Sequence, residues 1–147
     1  MIEEDASLDV REVAAALRLV SARLNRRLRQ STDVPISPSA LSTLSSLVNR
    51  GPLTLGQLAE MERVRPPTMT SMVSGLESRA LVSRLKDPND RRLIWLKATA
   101  EGERLIRSSR TQKNLYLARL LASLSPAELI ATRLAASALG RLLEDED

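Results

Sequence analysis

Apolar residues recur at helical spacing along most of this chain, and the period shortens to that of a strand in one brief stretch. Over residues 8–30, Val10, Val13, Leu17, Val20, Leu24 and Leu28 advance by three or four places and mark one stripe of a long helix. Asp9 followed by Glu12 predicts a capping box at its start. Ser37-Pro38 opens a second helix carrying Leu41, Leu44 and Leu47, and Gly51-Pro52 closes it. Thr54 to Gln57 reads as another capping box, opening a short third helix with Leu58 and Met61 in its core. A fourth helix is predicted over 66–81. It begins with prolines, which suit a first turn where the backbone donor is unpaired anyway, and Met69, Met72, Val73 and Leu76 form its apolar side. The period then changes: 81–86 alternates apolar and polar residues, 87–92 is turn chemistry, and 93–96 is rich in strand formers. Two further helices follow. One runs over about 99–124 with Leu105, Ile106, Leu115, Leu117, Leu120 and Leu121. The other is announced by Ser125-Pro126-Ala127-Glu128, which combines an N-cap, a proline at the first helical position and a capping-box glutamate. It carries Leu129, Ile130, Leu134, Leu139, Leu142 and Leu143 before an acidic end.

A short helix, a turn, a second helix and a hairpin, in that order, describe a winged helix-turn-helix. The fold class expected is mainly α with a small β-hairpin: one domain over 1–147, with the winged core at about 37–99 and long helical regions at about 8–31 and 99–145. The face of the fourth helix opposite its apolar side carries Thr68, Thr70, Ser71, Ser74, Gly75 and Ser78. Groups this small let a helix lie close against a polar surface such as a DNA groove, whereas a purely solvated face would more often carry Glu and Lys. The three terminal helices exceed what a winged core needs to cover itself. Their surplus apolar surface is satisfied either by a second copy or within a self-contained bundle, and periodicity leaves both open.

Composition narrows the function classes. At 147 residues the chain is long enough to bury a core, and its formal charge of +4 favours polyanionic partners. It has no cysteine and no histidine, which removes disulfides, thiol redox sensing and the commonest zinc and iron ligands. No nucleophile–base pair or Gly-rich phosphate loop is recognisable, so neither an enzyme nor a cofactor is expected. Single-strand binding needs stacking platforms, and Trp95 and Tyr116 are the only aromatics, Trp95 being read as packing on the wing. With no apolar run of roughly 20 residues and acidic first residues instead of a signal peptide, a cytoplasmic protein without a membrane partner is expected.

Asp90, Arg91, Arg92, Thr99 and Gly102, preceded by Leu76, Glu77, Leu81, Val82 and Arg84, form a recognisable set. Through them residues 37–102 resemble the winged helix-turn-helix of the MarR family of bacterial transcription regulators, and the flanking helices extend the likeness over nearly the whole chain. The resemblance implies a homodimer interlocked through its terminal helices, binding a double-stranded DNA operator of pseudo-palindromic sequence as a ligand-responsive repressor. The alternative is an architectural or protein-interaction dimer with weak, nonspecific DNA binding. The residues expected at the DNA are Arg65, Pro67, Thr68, Thr70, Ser71 and Ser74 on the helix, and Arg84, Lys86, Asp90, Arg91 and Arg92 on the wing. In the family the arginine aligned with Arg92 enters the minor groove while the aspartate aligned with Asp90 helps orient it. Two bland readings stay open: Arg65 as a solvated arginine, and Arg91 and Arg92 as mere counter-charges to Asp87 and Asp90. A small aromatic or anionic effector is implied in a cleft lined by the first, second and fifth helices. Arg18, Arg23 or Arg26 would be its cationic anchor, unless they are simply solvated.

The chain departs from the family pattern in three places. It has no long basic side chain between Arg65 and Arg79, where relatives carry one at the positions of Ser71 and Gly75. Specificity is therefore expected to rest more on the wings and on DNA shape. It has Ala80 where a helix-ending glycine is common, and Ala98 before Thr99 where leucine is usual.

Overall fold

Side-chain caps set the start of every helix but the fourth, which opens on prolines instead. In the computed structural model, which describes residues 9–144, α1 (Val10–Gln30) is followed by α2 (Pro38–Arg50), β1 (Leu53–Thr54), α3 (Leu55–Met61) and α4 (Pro66–Ser78). Then come β2 (Val82–Lys86), β3 (Ile94–Ala98), α5 (Ala100–Leu121) and α6 (Pro126–Glu144). The expected helix start at Leu8, the acidic first residues and the acidic end at 145–147 lie outside the described residues. No helix among the described residues is long and apolar enough to cross a membrane.

Ser37 caps α2 through the Ala40 N–H, and Gly51 at φ 83 ends it, a left-handed position that only glycine takes without strain. Thr54 and Gln57 form the reciprocal box that opens α3, and Ser125 with Glu128 does the same for α6. At α1 the expected box is replaced by a simpler cap, Asp9 accepting from the Arg11 N–H at 2.9 Å. The fourth helix stops at Ser78, short of the expected 81, because Ala80 adopts φ 58. The Leu81 N–H then reaches the Leu76 carbonyl and the Ala80 N–H the Glu77 carbonyl, a Schellman ending made on alanine where glycine would be unstrained.

The sheet has three antiparallel strands in the order β1-β3-β2, one more than the predicted hairpin. β1 pairs Leu53 with Leu96 and Thr54 with Trp95, and two residues are too few to show an alternating pattern in sequence. β2 and β3 pair from Val82 opposite Ala98 to Lys86 opposite Ile94. The core is formed by Leu44 and Leu47 of α2, Leu58 and Ala59 of α3, Met69, Val73 and Leu76 of α4, Leu81, Val82, Leu96 and Ala98 of the sheet region, and Ile106 of α5. Met61, expected in that core, is exposed, and Ala59 takes the buried place on α3.

The Thr99–Gly102 pair of the motif proves to be a structural joint. Thr99 caps α5 through the Gly102 N–H at 3.1 Å, its hydroxyl donates to the Ala80 carbonyl at 2.6 Å, and its N–H donates to the Leu81 carbonyl at 3.0 Å. A Cβ on Gly102 would lie 2.3 Å from that same Leu81 oxygen. The end of α4 and the start of α5 are thus drawn together at a spacing only glycine permits. By contrast, neither α1 nor α6 has a single buried residue.

Candidate nucleic-acid interface

Arg65 occupies the N-cap of α4 in extended conformation, with Pro66 and Pro67 in the first turn. Met69, Val73 and Leu76 anchor one side of the helix in the core, with Met72 half-buried beside them. Pro67, Thr68, Thr70, Ser71, Ser74, Gly75 and Ser78 are all exposed, as the sequence pattern predicts. The Thr70 hydroxyl donates to the Pro66 carbonyl at 2.9 Å, leaving that oxygen to act chiefly as an acceptor. The space around Gly75 is open, so the helix face has no bulk at its centre.

The wing is organised by an aspartate whose role the sequence did not reveal. Asp87 Oδ1 accepts from the N–H groups of Asn89 at 2.8 Å and Asp90 at 3.0 Å, and Oδ2 accepts from Trp95 Nε1 at 2.9 Å. The indole N–H, followed by the two backbone donors, holds the Asp87 carboxyl below its ordinary value. What the charged form contributes to wing order is therefore complete above that value and is lost as pH falls through the lowered one. Asp90 Oδ1 accepts from the Arg92 N–H at 2.9 Å, and the Leu93 N–H closes on the Asp90 carbonyl at 3.0 Å. Asp90 thus shapes the backbone that carries Arg92. The signal for Asp87 was its place at the head of an Asp-Pro-Asn-Asp turn, where an Asx side chain bonds the main chain two and three residues on.

Arg84, expected at the DNA, already has a partner within the chain. Its Nε and Nη2 form a bidentate pair with the Glu77 carboxylate at 2.7 and 2.9 Å, and this fork raises its already high pKa. Glu77 sits in the last turn of α4 and Arg84 in the middle of β2, so the pair braces wing against helix. Arg65, Lys86, Arg91 and Arg92 are exposed and make no side-chain hydrogen bond or ion pair among the described residues.

A cleft of about 540 Å³ lies between α1, α2, α5 and the α3–α4 side of the winged core, which forms the reading head. Its cations are Arg29, Arg110 and Lys113, and Leu41, Met72 and Ile106 are among its apolar walls. Arg18, Arg23 and Arg26, proposed from sequence, do not line it. Asn25 and Arg29, one turn apart, give the face of α1 that does, while Arg23 and Arg26 border a separate groove with Val20, Leu24 and Leu120.

The MarR family model matches residues 36–94. The chain is 36% identical over 146 residues to an HTH-type transcriptional regulator of Mycobacterium bovis, covering 99% of each. It is 29% identical over 137 residues to the HTH-type transcriptional repressor MdtR of Bacillus subtilis, covering 92% of this chain and 88% of that one. A MarR family protein from Bacillus stearothermophilus superposes with a TM-score of 0.79 at 28% identity, over 92% of this chain and 95% of the other.

Proposed function

The chain belongs to the MarR family of DNA-binding transcription regulators, and from that premise we propose that it is a homodimeric repressor reading a pseudo-palindromic operator with two helices and two wings. The observation that carries the DNA-reading part is the state of the wing acids. Asp87 is occupied with Trp95, Asn89 and Asp90, and Asp90 with the Arg92 N–H. Neither carboxylate pairs with a wing guanidinium among the described residues, so Arg91 and Arg92 are held at the tip with their charge unspent. That favours contact with a polyanion over a self-neutralised turn, and a narrow A·T-rich minor groove is the surface best matched to a projecting arginine. Arg65 and Lys86 extend the same cationic surface, while Thr68, Ser71 and Ser74 supply short contacts to bases or thymine methyls.

The dimer is supported by the surface left open in one chain. Of the fourteen large apolar side chains exposed among the described residues, eleven lie on α1, α5 and α6, including Val10, Leu134 and Leu142 at 60–78% exposure. The repressor reading follows MdtR. The effector reading places a small anionic ligand in the cleft beside Arg29, Arg110 and Lys113, where it would bias the spacing of the two heads.

Neutral replacement of Arg91 and Arg92 tests the DNA reading by titration against a selected duplex and a scrambled one at two salt concentrations. Arg92→Ala alone is expected to cost roughly 1 to 3 kcal/mol per half-site, most on A·T-rich flanks. A dimer neutralising about eight phosphates gives a log–log salt slope near roughly −7, which the double variant makes shallower. Unchanged affinity and an unchanged specificity ratio would reduce the wing to a solvated turn.

A further inference from the structure

The turn between the two helices of the reading head is fastened from outside by one side chain. Glu62 ends α3, and its carboxylate is shared between two hydroxyls of α2: Oε2 accepts from Ser42 Oγ at 2.8 Å and Oε1 from Ser46 Oγ at 2.7 Å. Ser42 and Ser46 stand one helical turn apart, so a single carboxylate spans both. The residue after Glu62 is under strain: Arg63 sits at φ 52, a left-handed conformation unfavourable for any side chain but glycine's. Within the turn, Arg63 N–H reaches the Glu60 carbonyl at 3.1 Å and Val64 N–H the Ala59 carbonyl at 3.0 Å. These bonds shape the turn locally, and the core holds α4 beside α2 through Met69, Val73 and Leu76, so that the Glu62 carboxylate adds the polar tie at the turn itself. Arg65, two residues after Arg63, is the N-cap of α4.

The sign of the charge matters as well. A carboxylate three residues before the mouth of a helix that meets a polyanion opposes binding on electrostatic grounds. We infer that Glu62 is a positioning residue of the DNA interface: by fastening the turn to Ser42 and Ser46 it sets the angle at which α4 meets the duplex, without touching DNA itself. Because Glu62 and Ser42 also wall the 540 Å³ cleft, the fastening lies where an occupant of the cleft can reach it. This inference rests on the proposed DNA-reading function.

The test uses the full chain and a duplex that the unaltered protein selects from a random-sequence library. Glu62→Ala is expected to weaken binding to the selected duplex about tenfold, two hydrogen bonds to a charged group being lost, while binding to a scrambled duplex is unchanged or tighter. Removal of an acid by charge alone would instead tighten both. Glu62→Gln, which keeps an acceptor for one hydroxyl, should recover part of the loss. Ser42→Ala with Ser46→Ala should reproduce the loss, and combining all three should add nothing further. These titrations are run well below each variant's thermal midpoint, so that a fall in stability does not mimic a fall in affinity. Additive losses, equal losses on both duplexes, or tighter binding to the selected duplex would overturn the positioning role. If the unaltered protein selects no duplex, the proposed function fails and this inference falls with it.

Discussion

The reading head and the terminal helices are made of similar residues and end in opposite states. In the head, Leu44, Leu58, Met69 and Val73 reach zero exposure, and the polar groups around them are tied by caps, by the Thr99 joint and by the Glu77–Arg84 fork. In α1 and α6, leucines and valines at the same helical spacing stay in the open: Val10 is 78% exposed and Leu143 is 66%. An amphipathic stripe therefore states only that a face must be covered, and says nothing of which chain covers it. The head completes its core within one copy. The terminal helices lean on little of their own chain, α1 mainly on α5, and α6 has no extended contact with another element.

The comparison is broken most severely by removing the uncovered part. Deleting residues 126–147 should leave monomers or aggregates in sedimentation while the head keeps its secondary structure by circular dichroism. A compact monomer formed by the intact chain at micromolar concentration would mean that the terminal helices satisfy each other. A smaller effect is expected inside the head. Gly102→Ala places a methyl 2.3 Å from a backbone oxygen, and shifting the start of α5 should cost about 1–3 kcal/mol in thermal or denaturant unfolding. A neutral result would show the Thr99–Gly102 joint to be loose. The smallest effect has the opposite sign. Ala80→Gly relieves the left-handed strain at φ 58 and should stabilise the head by about 0.5–1 kcal/mol, with DNA affinity unchanged in titration.

Sequence made the head legible because its punctuation is local. Ser37, Thr54, Ser125, the prolines and Gly51 each act within a few residues of where they stand, and the helices begin close to where they place them, while the fourth and the fifth both end three residues before the expected 81 and 124. The wing turn was legible for the same reason. What depended on distant partners was hidden. β1 exists because Leu53 and Thr54 find β3, more than forty positions away. The Glu77 partner of Arg84 is invisible in sequence, and both Asp87 and Glu62 look like ordinary surface acids until Trp95, Ser42 and Ser46 arrive beside them. Which cations face the cleft is hidden in the sequence because the phase of α1 against α2 and α5 is set by tertiary packing, and the reading of Arg18, Arg23 and Arg26 as solvated arginines fits their absence from it. Arg26 and Arg29 are only three residues apart, yet only Arg29 borders the cleft.

A homodimeric operator reader needs two complete heads held at a fixed spacing by helices that one chain cannot cover. A hydroxyl-radical footprint on a selected genomic fragment, read together with the mass of the complex, tests this most directly. One dimer is expected to protect two symmetry-related patches centred about one helical turn (~10 base pairs) apart, with cuts flanking each recognition site shielded by a wing. Diffuse, salt-sensitive protection with no centre of symmetry, or a single chain per site, would contradict it and favour an architectural protein instead.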